Sequence, residues 1–448
     1  MNKNIYEQKS LLKLILAFGI PSILSLMIEM LTGIVDTIFA GNLPGIGDNA
    51  LSAMALISPV LGIFTALQTL FAMSTGILIA KYLTIKKEKN NYYKTGVIMS
   101  FVISMITSII CYLFLPNILN LLGASNQVFY LAKIYLQIQL ISNIFSSLGY
   151  TLTSCIRAFG FPKVEVIMIS TAVFINIIFN FLFSFVFNMG IFGLGLGTLV
   201  SEVICFLLSV IFLIKKNLWI KKEKISIITF IKNSWELFKI GISQTFIQIL
   251  GGCTGFIINF RLLQLGTISY VAAWSIIQRI YTFLLMPIVG ITQGVQNIIA
   301  YFKGKEEKEK IKTVSKYTIL ICTLYGILAF ILVVFFGYNL VSIFGGNSII
   351  IAEANSILLI VFLGFPLIGI LYTVMTLLQV TNHEVASVLL ILSRQVFFLI
   401  PLIYIIPFLV NYYNINILPV ISLFICMPIA DFLAILFAIK VKKMTSLP

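Results

Sequence analysis

Charge is what this sequence has least of. Asp and Glu number 15 in 448 residues, charged residues of both signs make up 10% of the chain, and hydrophobic residues make up 60%. A soluble globular domain carries about 25% charged residues, so a soluble fold is excluded. Histidine is nearly missing: His383 alone cannot supply a histidine metal site or a catalytic triad. The six cysteines, Cys111, Cys155, Cys205, Cys253, Cys322 and Cys426, fall one to an apolar stretch with neither metal-ligand nor disulfide spacing. They are expected to pack in the interior. No phosphate-binding loop is present, and no polar segment is long enough to house a catalytic domain. An enzyme, a metal site and a bound cofactor are therefore not expected, and any uphill transport would draw on an ion gradient.

What is present is apolar sequence in lengths that cross a bilayer, about 20 residues each. Twelve such spans run at 14–40, 51–80, 95–115, 129–155, 164–187, 191–214, 235–264, 270–301, 314–337, 350–380, 385–410 and 415–439. The fold class is all-α polytopic membrane protein. The polar stretch Met1–Ser10 leads into a span longer than a signal h-region, with no small-residue cleavage site, so no removed leader is expected.

The net charge of +15 would suggest nucleic acid in a soluble chain. Here Lys and Arg lie between apolar spans, which is the mark of membrane topology and not of nucleic-acid binding. Twenty-six of the 30 fall in alternate connections, from Lys3 and Lys13, through Lys81–Lys94, Arg157, Lys163, Lys215–Lys239 and Lys303–Lys316, to Lys440–Lys443. The intervening connections contain none. An even number of spans with both termini in the cytoplasm accounts for this.

The chain repeats weakly on itself. Gly19-Ile20 matches Gly241-Ile242 at an offset of 222, Ile79-Ala80 matches Ile299-Ala300 at 220, and Arg157 matches Gln379 at 222. Two six-span halves follow, residues 1–222 with a basic linker from Lys215, and 223–448. Six is even, so the halves are parallel repeats, and transporters place substrate at such a repeat interface.

Ionisable residues inside spans cost from about 2.5 kcal/mol upward at bilayer depth and mark function by default. The first span holds two, Glu29 and Asp36, which are seven residues apart and therefore about 10 Å apart on nearly one helix face with Ser22 and Thr32. Asn176 and Asn180 share a face of the fifth span at similar depth, as a pocket for an ion or as hydrogen-bonding glue between helices. The seventh and eighth spans contribute Gln244, Gln248, Asn259, Gln278, Arg279 and Tyr281 as candidate walls of a substrate cavity, with Arg279 expected to be a buried cation. Pro21 and Pro287 are candidate hinges. Arg394 and Asp431, at matching depth in consecutive spans, are expected to form a structural ion pair. Glu202 has no depth-matched cation in its half. Glu353, His383 and Glu384 fall at span ends and are expected to be solvated.

Several stretches, in order along the chain, resemble the multidrug and toxic compound extrusion (MATE) family. Pro21 followed by Gly33-Ile-Val-Asp36-Thr-Ile-Phe-Ala-Gly41 resembles the family's first-helix signature. Arg157-Ala-Phe-Gly-Phe-Pro-Lys163, Asn176-Ile-Ile-Phe-Asn180 and Gly190–Gly197 resemble its fourth to sixth helices. Gln278-Arg279, Met286-Pro287-Ile-Val-Gly290 and Arg394-Gln-Val-Phe-Phe-Leu-Ile-Pro401 are similar to its eighth and eleventh. The resemblance implies two six-helix lobes around a central V-shaped cavity, rocking between access states, and export of an amphipathic, often cationic compound in exchange for H⁺ or Na⁺. It maps the family's first-helix acid onto Asp36 and its fifth-helix asparagine onto Asn176. Asn180 stands where relatives of the DinF type carry a second acid, Glu29 where glutamine is more usual, and Gln244, Gln248 and Gln278 where NorM-type members have acids.

Expected from these residues is a DinF-like antiporter of the cell membrane, acting as a monomer. A proton, in preference to sodium, would bind in a pocket of Asp36, Asn176, Asn180 and Glu29. Two rivals stand beside it. A lipid-linked precursor flippase of related fold wants a cation-lined cavity, for which Arg279 is the main candidate. A membrane-embedded transferase would use His383 and Glu384, which as sequence neighbours point to different helix faces.

Overall fold

In lipid, only a helix satisfies its own backbone hydrogen bonds within one segment, and the long Leu-, Ile- and Phe-rich runs fold accordingly. The computed structural model describes residues 5–220, 225–265, 268–343, 348–413 and 418–445. Lys3, Lys221, Lys222 and Lys224 of the charge pattern lie outside these residues. Twelve spans are formed: α1 (Leu11–Gly41), α2 (Gly47–Lys81), α3 (Lys86–Leu113), α4 (Asn126–Ala158), α5 (Pro162–Phe181), α6 (Gly190–Lys215), α7 (Ile227–Leu265), α8 (Ile268–Gly304), α9 (Lys308–Ser342), α10 (Ser348–Phe362 and Phe365–Val380), α11 (Glu384–Leu392, continuing to Ile400–Tyr412) and α12 (Pro419–Met444). No strand occurs among the described residues.

Eleven spans are unbroken, and α10 is two helices bent by 49°. The break falls at Leu363-Gly364, immediately before Pro366 in the first turn of the second piece. Proline has no N–H to donate and is tolerated in a first turn, so the helix restarts there. Pro21 and Pro287, the candidate hinges, lie inside continuous helices. Two further departures from α geometry are π-helical segments, Leu182–Val186 at the end of α5 and Ser393–Leu399 within α11.

Two compact units form, one of residues 1–8 and 20–245, the other of 9–19 and 246–448. Each therefore changes hands inside a helix, in α1 and again in α7, and not at the basic linker. In the second unit, Gly294 of α8 lies directly on the backbone of Phe18 and Gly19. In the first, a Cβ at Gly241 of α7 would stand 2.1 Å from the Leu70 carbonyl oxygen of α2. Thr245 donates to Ala66 O at 3.1 Å, and the Tyr92 hydroxyl donates to Glu236 Oε2 at 2.5 Å. Of the glycines matched by the repeat, Gly241 itself is tightly crossed, whereas a Cβ at Gly19 would meet Ile291 at an ordinary 3.4 Å and the tight glycine there is Gly294.

Packing in the first unit relies on hydroxyls as well as on shape. Ser100 and Thr151 join α3 to α4 at 2.5 Å, and Ser108 donates to Leu140 O at 2.8 Å. Where lipid offers no hydrophobic drive between helices, such bonds and small residues supply association. Of the cysteines, five are buried; Cys253, expected inside, is exposed.

Candidate functional site

Asp36 is half-buried on α1 and meets the asparagines of α5. Asn180 Nδ2 donates to Asp36 Oδ1 at 2.6 Å and to Asn176 Oδ1 at 3.1 Å, and Asn176 Nδ2 donates to Thr198 Oγ1 of α6 at 3.3 Å. Asn180 has no exposure to solvent. Its place is set by Gly197: a Cβ there would lie 2.0 Å from Asn180 Oδ1 and 2.7 Å from its backbone nitrogen. Only glycine lets α6 approach α5 so closely. The π-helical turn begins two residues after Asn180, and such turns recur at functional sites because they re-aim side chains. Tyr135 of α4 is buried in the same unit. Both amide hydrogens of Asn180 are committed and only one Asp36 oxygen is bonded, which leaves the other to hold a proton or a cation.

A second polar group occupies the same unit. Arg157 Nη1 pairs with Glu165 Oε1 at 3.2 Å, with both side chains buried. Nη1 also contacts Ser22 Oγ at 3.4 Å, and Nη2 contacts Met73 Sδ at 3.4 Å. Glu29 interacts electrostatically with Glu165, Glu202 and Arg157. Nearby, the Ser146 hydroxyl donates to Gln68 Oε1 at 3.5 Å, and Gln68 donates to Asn143 Oδ1 at 3.0 Å.

In the second unit, Arg394 Nε pairs with Asp431 Oδ1 at 2.6 Å and Nη2 donates to the Tyr281 hydroxyl at 3.2 Å. Phe362 and Phe365 meet the Tyr281 ring edge-on, each 5.5 Å between centroids. Arg394 also borders a cavity of about 20 Å³ with Tyr372, Met375 and Gln395.

The family model described as MatE matches this chain twice, over residues 21–182 and 244–405. The chain belongs to the MATE family. The two matched stretches are of equal length and coincide with the internal repeat. The multidrug export protein MepA of Staphylococcus haemolyticus is 26% identical over 72% of this MATE chain and 71% of its own length. MepA of Staphylococcus aureus is 28% identical over 70% and 69%. Among solved structures, the outward-facing conformation of a multidrug resistance MATE family transporter of the MOP superfamily superposes with a TM-score of 0.89 at 18% identity, covering 99% of this chain and 98% of that one.

Within this MATE fold, the residues singled out in the sequence divide into separate groups. Asp36, Asn176 and Asn180 come together. Glu29, two turns earlier on α1, is half-buried and takes no part in these hydrogen bonds. Gln244 belongs to the first unit, and Gln248, Asn259, Gln278, Arg279 and Tyr281 belong to the second. Gln248, Asn259, Gln278 and Arg279 are exposed, contrary to the burial expected of Arg279, and Arg279 has no ion-pair partner among the described residues. Glu353, expected to be solvated, is half-buried and accepts from Ser269 at 3.0 Å.

Sequence reasoning missed Glu165 and placed Arg157 in a connection. Arg157 stands at the end of α4 and Glu165 in the first turn of α5, on either side of Gly160-Phe161. The available signal was an Arg and a Glu eight residues apart across a tight Gly-Phe-Pro turn, which points them at each other.

Proposed function

We propose that this multi-pass membrane protein is a DinF-like antiporter that exports amphipathic, often cationic compounds across the cell membrane in exchange for an inward cation, a proton in preference to sodium. The chain from Asp36 through Asn180 and Asn176 to Thr198 supports this reading most: a carboxyl inside a span, held by amides with one oxygen open, is a group that can load and discharge an ion as its solvation changes. The multidrug export named for the MepA relatives supports the substrate class. The protein is taken to act as a monomer with both termini in the cytoplasm, its two six-helix repeats alternating access by rocking, with the exposed Gln248, Asn259, Gln278 and Arg279 facing substrate and Arg394–Asp431 as a fixed structural pair.

The test is transport of a panel of cationic dyes by the full chain in vesicles, with a pH gradient and a sodium gradient imposed separately. Dye movement driven by the pH gradient alone is expected; movement driven only by sodium would reverse the ion assignment, and none under either would remove the exporter reading. The exposed, unpaired Arg279 favours one second reading, a flippase for a lipid-linked pyrophosphate, which scrambling of such a lipid without dye transport would support.

A further inference from the structure

The first turns of α7 carry an exposed stripe that is apolar, aromatic and basic at once. Ile228, Ile231, Lys232, Trp235, Phe238 and Lys239 are all exposed, and they recur at steps of three and four, so they share one face of the helix. Ile228 is 82% exposed and Trp235 59%. Asn233, Leu237 and Ile240, turned away from that face, are buried. The stripe is ordered by its own side chains: the Trp235 and Phe238 rings stack at 5.5 Å, and Lys239 Nζ stands 5.9 Å from the centre of the Trp235 ring. Neither Lys232 nor Lys239 has an ion-pair partner among the described residues. The acid of these turns, Glu236, is engaged with α2 and α3 instead, accepting from the Tyr92 hydroxyl at 2.5 Å with Lys81 Nζ at 3.9 Å.

The repeated architecture does not require such a face. At the 222-residue offset Ile228 corresponds to Tyr6, which is 1% exposed and donates from its hydroxyl to the Ala158 carbonyl oxygen at 2.8 Å. Nor is the chain ahead of α7 a counterpart for it: residues 215–224 hold five lysines and one glutamate, like in sign to Lys232 and Lys239. The occupant must be apolar in one part and anionic in another. Helix length says where it comes from. The 39 residues of α7 measure about 58 Å at 1.5 Å each, against about 30 Å of hydrocarbon and about 40–45 Å with both headgroup layers. The apolar run read from the sequence begins at Trp235, so the stripe passes from the hydrocarbon edge into the headgroups, the depth where tryptophan and snorkelling lysine settle.

We propose that this stripe is a binding seat for an anionic phospholipid. Lys239, whose ammonium already stands over the Trp235 ring, and Lys232, one turn before that ring, grip the phosphate between them. Phe238 and the apolar run beyond it line the acyl chains, and Ile228 and Ile231 extend the apolar edge of the seat into the headgroup layer. Anionic headgroups favour basic side chains at this depth, and zwitterionic ones offer no net charge to them. The seat needs only the membrane-spanning fold, does not rest on the exporter reading, and is tested without transport.

The experiment places the purified full chain in phosphatidylcholine nanodiscs doped with phosphatidylglycerol brominated on its acyl chains, with brominated phosphatidylcholine as the control. Bromine quenches the fluorescence of a tryptophan it touches. Equal quenching is expected at about a tenfold lower mole fraction of the anionic lipid than of the control, and salt should narrow that difference. Lys232→Gln and Lys239→Gln, at exposed positions, are expected to leave the melting temperature unchanged. Each should cut the preference about threefold, and the two together should abolish it. Trp235→Phe should remove the preferential part of the quenching, which assigns it to this ring and not to Trp219 or Trp274. Equal quenching by the two lipids overturns the proposal and leaves ordinary lipid contact only. A preference that survives the double lysine variant, or that remains in Trp235→Phe, overturns it as well by placing the anionic lipid elsewhere.

Discussion

Arg157 and Glu165 are eight residues apart in sequence and 3.2 Å apart in space, brought together by a turn in which Gly160 takes a φ of +95°. Removing one member of a buried pair strands the other and costs about 3–5 kcal/mol, whereas neutralising both costs far less. Arg157→Gln is accordingly expected to lower the thermal unfolding temperature sharply in detergent, and Arg157→Gln with Glu165→Gln to recover most of the loss. A double variant as unstable as the single would show that the guanidinium has a further partner.

Asp36→Asn keeps the size of the side chain and its contact with Asn180 while removing the ionisable group. Folding is expected to survive, and gradient-driven dye efflux in vesicles to fall by an order of magnitude or more. Near-normal efflux would take the coupling role away from Asp36. Asn180→Ala, which removes the 2.6 Å donor, is expected to impair transport more than expression.

Gly197→Ala places a methyl 2.0 Å from Asn180 Oδ1. Overpacking of this kind costs about 1–3 kcal/mol, and here the backbone of α5 stands behind the side chain. Reduced melting temperature is expected together with reduced transport, because α6 can relieve the clash only by moving away from Asn180 and Thr198. Full transport at lowered stability would show that the asparagine contact is packing alone.

Tyr82 follows the last turn of α2 and stacks on Tyr92 at 5.1 Å. Burial first, then the nearby Glu236 and Glu88, hold its hydroxyl above the ordinary value of 10.0. A group whose folded-state value is raised adds stability that is complete below its unfolded value and is lost as pH rises through the folded one. Loss of stability on the alkaline side of pH 10 is therefore expected, and Tyr82→Phe should flatten that part of the curve in melts across the alkaline range.

The spans were legible because hydropathy and length are direct consequences of the bilayer, and the parity of basic connections confirmed their count. The break in α10 was not, because Leu363-Gly364-Phe365-Pro366 is apolar throughout and hydropathy carries no information about direction. The Asp36–Asn180–Asn176 group was legible because polar side chains at helical spacing stand out against an apolar run. Glu29 stands outside the Asp36 hydrogen bonds for a geometric reason. Two helical turns keep residues on one face but place them about 10 Å apart, too far for a shared hydrogen bond, so the neighbour is chosen by the other helices. Arg157 and Glu165 escaped because a charge beside a turn looks the same in sequence whether it faces water or its partner.

Residues 9–19 pack with the second unit and residues up to 245 with the first, so cutting the chain at the basic linker would not produce two self-sufficient pieces. The leading fragment would keep an arm whose seat at Ile291 and Gly294 it lacks, and the trailing fragment an arm whose seats at Leu70 and Ala66 are missing. Each would be soundly folded only in the presence of the other.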